Sequence, residues 1–199
     1  MKYVLATANP GKIKEMKEIL SALDISVTTR ADIGIDFDIE ETGTTFFENA
    51  KKKADAICLV SGMPSIADDS GLVVEALDGN PGVYSSTFGG EELTSEQRCS
   101  YLLDKMEKME QRRAKFVCTI VCVFPDGSLI TAGGDCNGVI ATEQQGTGGF
   151  GYDPVFIPDG FDKSMAQLSV DEKNAISHRG MALNKFSELL KSFCEGREI

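Results

Sequence analysis

Apolar residues recur along this chain at two different periods, and the alternation between the two predicts a fold made of both strands and helices. Lys2 to Ala6 is a short apolar run that ends at Thr7-Ala8-Asn9-Pro10-Gly11-Lys12. After it, Ile13, Met16, Ile19, Leu20 and Leu23 fall on one helical face, giving strand, tight loop, helix. A second helix is predicted between Thr44 and Gly62, with Thr44 or Thr45 as cap, Glu48 in the first turn and Gly62 as the stop. A strand ending at Asp68 follows, then a turn at Ser70-Gly71, an apolar segment through Leu77, and a Gly/Pro-rich loop. Ser95 to Met109 reads as a third helix. Ala114 to Phe124, the turn Pro125-Asp126-Gly127 and Ser128 to Asp135 read as a hairpin, and Gly180 to Phe193 as a final amphipathic helix. Crossover and hairpin connections in one chain predict an α/β fold with a mixed sheet.

Composition narrows what such a fold can do. With 199 residues and 42% hydrophobic content the chain can bury one substantial core, so a single domain over residues 1–199, with lobes, is expected. A net charge of -11 argues against a nucleic-acid or anionic-membrane surface, and any anionic ligand must be small and held by a few local cations. The start lacks a signal-like apolar region and no later window has the length of a spanning helix, so a cytoplasmic protein is expected. Cys58, Cys99, Cys118, Cys122, Cys136 and Cys194 lie scattered without a Cys-x-x-Cys pair, as buried free thiols would.

Four stretches carry candidate chemistry, each with a plainer reading beside it. Thr7 to Lys12 couples a Gly-containing loop to a helix start with a lysine, which suits an anion; it is also a good turn. Glu40, Glu41, Glu48, Asp68 and Asp69 offer oxygen ligands of the kind Mg²⁺ takes from one or two carboxylates plus substrate phosphates and waters, or are solvated charge. The contiguous pair Asp68-Asp69 is either a solvated turn or a working site whose repulsion something positive offsets. Gly146 to Pro154 contains a formal G-x-G-x-x-G, yet Tyr-Asp-Pro follows it instead of a helix, so it is not a dinucleotide fingerprint. Phe150 and Tyr152 there either stack on a base or pack in the core, beside Asp153. Lastly, Lys173, His178 and Arg179 place three possible donors within seven positions, and His178 is the only histidine; capping or packing is the plainer role for it.

Taken in order, TANPGK, TFFENAKKKA, ADDSGL, PGVYS, GTGGFGYDPVF and SHRGMAL resemble the Ham1/inosine triphosphatase family of nucleoside-triphosphate pyrophosphatases, from the first strand to the last helix. Ser86-Thr87 stands where family members often have Ala-Arg. The resemblance implies an elongated, two-lobed α/β structure with a long central mixed sheet flanked by helices, and a homodimer. It implies hydrolysis of inosine and xanthosine triphosphates, ribo or deoxy, to the monophosphate and pyrophosphate, with Mg²⁺. On this sequence, Thr7, Ala8, Asn9, Pro10, Gly11 and Lys12 would hold the triphosphate, and Glu41 and Asp69 the metal, with Asp69 also accepting a proton. Ser70, Phe150, Gly151, Tyr152, Asp153, Lys173, His178 and Arg179 would contact substrate, with Asp68, Glu48 and Lys53 in support.

Overall fold

The computed structural model describes residues 2–196. Six strands form one sheet in the order β2-β1-β3-β4-β5-β6. They are β1 (Tyr3–Leu5), β2 (Val27–Thr29), β3 (Ser65–Val74), β4 (Arg113–Val123), β5 (Leu129–Ile140) and β6 (Phe156–Pro158). Five helices accompany them: α1 (Pro10–Ala22), α2 (Phe46–Ser61), α3 (Ser95–Lys105), α4 (Val170–Ile176) and α5 (His178–Glu195). β1 pairs in parallel with β2 and β3, while β5 and β6 are antiparallel, so the sheet is mixed as predicted. No helix among the described residues is long and apolar enough to cross a membrane.

Caps explain why the helices begin where they do. Asn9 accepts from the N–H groups of Gly11 and Lys12, and Pro10 occupies the first position, where its missing N–H costs nothing. Thr45 and Glu48 form a reciprocal capping box on α2, and Gly62 ends that helix in the left-handed conformation at φ 66°. Both ends match the sequence expectation. β2, β6 and α4 were not predicted, because three-residue strands and a seven-residue helix are too short to display a period. β5 runs five residues past the predicted end at Asp135. Its buried face includes Gly134 and Gly138, which hide the alternation; a Cβ at Gly138 would run into the carbonyl of Ile157 on β6.

One expectation is overturned. Ser70-Gly71 is no turn: β3 passes straight through Asp68, Asp69, Ser70 and Gly71 as ten continuous strand residues. In extended chain, neighbouring side chains leave on opposite faces, so the two carboxylates part without any bend.

The chain divides into two compact units. The first comprises residues 1–69, 118–134 and 179–199, the second residues 70–117 and 135–178. In the first, strand residues alternate between two cores: Tyr3, Leu5, Ile66, Cys118, Ile120 and Cys122 pack with Met16, Ile19 and Leu20 of α1 and Leu183 and Phe186 of α5. Val4, Ala6, Ala67, Val121 and Val123 pack instead with Ala50, Ala54 and Ile57 of α2. The second unit has its own core around Leu72, Leu102, Phe116, Ile140, Tyr152 and Phe156. Five cysteines are buried, matching the thiol expectation, while Cys194 near the end of α5 is exposed; all six are free.

Candidate active site

The two-faced packing of the first unit decides what each carboxylate of the pair meets. Asp68 shares the face of Ile66 and is buried against α1 and α5. Lys12 Nζ lies 3.2 Å from Asp68 Oδ2, and Arg179 donates to the same oxygen through Nη2 at 2.8 Å and Nε at 3.2 Å. The Arg179 guanidinium, fully buried, also donates through Nη1 to Glu15 of α1. Burial alone would raise the pKa of Asp68, but Lys12, Arg179 and Lys53 outweigh it and hold the carboxyl well below the usual range. Arg179 is correspondingly raised: burial opposes its charge, and Asp68 and Glu15 more than compensate.

Asp69 leaves on the other face, toward α2. Lys53 Nζ donates to Asp69 Oδ1 at 3.2 Å and to Glu41 Oε1 at 3.1 Å, so one ammonium gathers both carboxylates expected at the metal. Asn49 Nδ2 donates to Asp69 Oδ2 at 3.3 Å, and Asn49 Oδ1 accepts from the Gly43 N–H at 2.7 Å. Burial pushes the Asp69 carboxyl up to about 6 against the pull of Lys53 and Lys12, with the charges of Glu41 and Asp68 adding to the rise. Lys53 stays cationic: burial works against its charge, but Asp69, Asp68 and Glu41 raise its pKa. A buried carboxylate whose charge is costly, with a half-exposed glutamate on the same lysine, suits an added cation.

Among the described residues no group of three or more His, Cys, Asp or Glu could cage a metal. A hard cation such as Mg²⁺ takes one or two carboxylates, with phosphate and water oxygens filling the other positions. The donors on Asp69 and Glu41 are oxygens throughout, as Mg²⁺ requires.

In the first loop, Ala8, Asn9 and Pro10 are exposed, and Gly11 and Lys12 are half-buried. Thr7 Oγ1 accepts from the Asn9 N–H at 3.1 Å. The helix-start N–H groups of Gly11 and Lys12, expected to face phosphate, are bonded within the chain to Asn9 Oδ1 at 2.9 and 3.2 Å. The cation available there is Lys12, anchored by Asp68. Glu48 is a capping residue: it accepts from the Thr44 and Thr45 N–H groups at 2.7 and 3.2 Å, which lowers its pKa and fixes the chain just after Glu41.

The second unit holds a separate constellation. Asp153, buried, accepts from Lys173 Nζ at 2.5 Å and from the Phe150 N–H at 2.8 Å, and the same ammonium lies 4.9 Å from the centroid of the Phe150 ring. Tyr152 packs in the core and its phenol donates to the Ser85 carbonyl at 3.0 Å, so of the two aromatics it is the packing one. Ser70, the first residue of this unit, is half-buried, and Gly151 adopts φ 63°.

The three donors Lys173, His178 and Arg179 each have a different partner. An extended Ser177 (φ -68°, ψ 151°) separates α4 from α5. Lys173 turns to Asp153, His178 stacks on Phe116 at 4.7 Å, and Arg179 turns to Asp68 and Glu15. Arg179 is buried and anchors Asp68. Glu15 and Asn49 were not foreseen. Each lies one helical turn from a recognised lysine, Glu15 at i+3 from Lys12 and Asn49 at i-4 from Lys53, and that spacing was the available signal.

Because Asn49 bonds both the Gly43 N–H and Asp69, Asn49→Ala is expected to lower turnover about 10- to 100-fold, the usual effect of losing a group that orients a ligand. Steady-state kinetics checks it; an unchanged kcat removes Asn49 from the site.

Comparisons with known proteins identify the family. The sequence matches the Ham1 family over residues 3–189. It is 47% identical to the dITP/XTP pyrophosphatase of Deinococcus deserti, covering 98% of this chain and 92% of that one. It is 46% identical to the dITP/XTP pyrophosphatase of Bacillus subtilis, covering 95% and 96%. Among solved structures, the Staphylococcus aureus Ham1 protein superposes with a TM-score of 0.86 at 42% identity, over 96% of this chain and 99% of that one. A HAM1 protein from Coxiella burnetii gives 0.87 at 39%, over 96% and 99%. With a match from the first strand to α5 and the same fold at this level of identity, the chain belongs to the Ham1 family.

Proposed function

We propose that this protein is a hydrolase that splits non-standard purine nucleoside triphosphates (ITP, dITP, XTP) between the α- and β-phosphates. The products are the nucleoside monophosphate and pyrophosphate, and the role is removal of deaminated purines from the nucleotide pool. The observation that carries the reading is the Asp69 cluster, a buried carboxylate set by Lys53 and Asn49 with Glu41 on the same ammonium. Its family relatives are named for the same chemistry.

Lys12 and Lys53 supply positive charge to the triphosphate of an anionic substrate that a protein of net charge -11 would otherwise repel. Asp69 accepts the proton of the attacking water as its oxygen bonds to the α-phosphorus and pyrophosphate departs. Glu41 and Asp69 would hold Mg²⁺, which when bound neutralises phosphate charge and acts as a Lewis acid. Phe150 offers a face to the base, and Lys173, fixed by Asp153, donates to the purine 6-carbonyl. Adenine presents an amino donor there, and donor facing donor in a buried site rejects a ligand strongly. The protein acts as a homodimer in the cytoplasm.

Product analysis tests the reading. With ITP and Mg²⁺, pyrophosphate and IMP are expected in equal amounts, ATP should be turned over far more slowly, and EDTA should abolish activity until Mg²⁺ is restored. Release of inorganic phosphate in place of pyrophosphate rules out the proposed bond, and undiminished activity in EDTA rules out the metal.

A further inference from the structure

We propose that Ser85 is a positioning residue for the base-recognising segment, acting through the phenol of Tyr152. The inference rests on the assignment of Phe150, Asp153 and Lys173 to the base.

That segment lies in a run rich in glycine, with Gly146, Gly149 and Gly151 at φ 80°, 69° and 63°. Such a chain has few side chains to pack and loses more freedom on ordering than any other, so its conformation depends on specific ties. Some ties are local, such as the Phe150 N–H to Asp153. The Tyr152 phenol is different: it spans 67 positions of sequence to the Ser85 carbonyl. Burial raises its pKa, with Cys99 adding to the rise against the pull of Arg98, so it is a donor throughout the neutral range.

Ser85 is itself fixed at two points. Its hydroxyl donates to the Gly82 carbonyl at 2.6 Å and accepts the N–H of Leu72 on β3 at 2.9 Å. The hydroxyl, together with the Ser85 N–H that donates to the same Gly82 carbonyl at 3.2 Å, holds the turn whose carbonyl receives Tyr152, and of the two only the hydroxyl ties that turn to β3. Both residues are at most 9% exposed, so water does not readily replace a lost bond. Tyr152 precedes Asp153 directly, and Asp153 holds both Lys173 and the Phe150 N–H. Loosening Ser85 is thereby transmitted to the groups assigned to the base, while Lys12, Glu41 and Lys53 belong to the other unit.

Isothermal titration of two ligands that the enzyme does not turn over separates base from phosphate: inosine monophosphate and pyrophosphate. Ser85→Ala and Tyr152→Phe should each weaken inosine monophosphate binding about fivefold, the size expected for one lost buried hydrogen bond, with pyrophosphate binding within about twofold. Because they break one linkage, the double variant should lose no more than the worse single, and Ser85→Thr, which keeps the hydroxyl, should bind as the unsubstituted protein does. Unchanged inosine monophosphate binding, equal loss for pyrophosphate, or additive losses overturn the proposal; Tyr152→Phe decides alone if Ser85→Ala does not fold. Failure of the unsubstituted protein to release pyrophosphate from ITP would sink the proposed reaction and leave this titration able to judge Ser85. Failure to bind inosine monophosphate at all would overturn the base assignment and the role of Ser85 with it.

Discussion

Asp69→Asn is expected to lower kcat by about three orders of magnitude or more, the upper part of the range for loss of a positioned general base. An asparagine amide cannot take the proton of the attacking water, and it offers a hard cation a neutral oxygen in place of an anionic one. The fold should survive. The side chains are nearly isosteric, and the burial that pushes the Asp69 carboxyl up to about 6 shows that its charge is costly where it sits. Pyrophosphate release from ITP measures the first effect and thermal unfolding the second. A variant retaining a tenth of the wild-type rate takes Asp69 out of the mechanism; one that has lost its cooperative transition makes the residue structural.

Arg179→Ala should act mainly on stability. It leaves the Asp68 and Glu15 carboxylates in the interior without the guanidinium that bonds both, and breaking a buried ion pair from one side costs about 3–5 kcal/mol. For a chain of this size that lowers Tm by about 10 °C. Lys12 remains on Asp68, so Asp68→Asn in the Arg179→Ala background should recover part of the loss, a coupling that differential scanning calorimetry reads directly. A drop of under 2 °C, or strictly additive effects, contradicts the anchor role. An Arg179 bound to substrate instead would show chiefly as a raised KM with little change in Tm.

These two variants differ because adjacent residues of one strand have opposite surroundings. From sequence, Asp68 and Asp69 were one problem: two like charges needing a shared cation and a turn to aim them. In the structure Asp68 meets Lys12 and Arg179 on the α1 and α5 side, and Asp69 meets Lys53 and Asn49 on the α2 side. Glu41 is brought to Asp69 by Lys53, from a loop 28 positions earlier. Of the donors close in sequence, Lys173 lies before the break at Ser177 and turns to Asp153, while the adjacent His178 and Arg179 beyond it turn to Phe116 and to Asp68 and Glu15.

The sequence by itself determined the elements whose causes are local. The Thr45 cap, the Gly62 stop, the turn after Phe124 and the long amphipathic helices each depend on residues within a few positions, so their physics is complete in a short window. Through ordered motifs it also identified the family. Only the tertiary structure decided which face each strand residue serves, that Ser70-Gly71 continues a strand, and that Glu15, Asn49 and Arg179 orient carboxylates. The physical reason is that a charge or a strand is stabilised by whatever packs against it, and those partners lie tens to more than a hundred residues away along the chain.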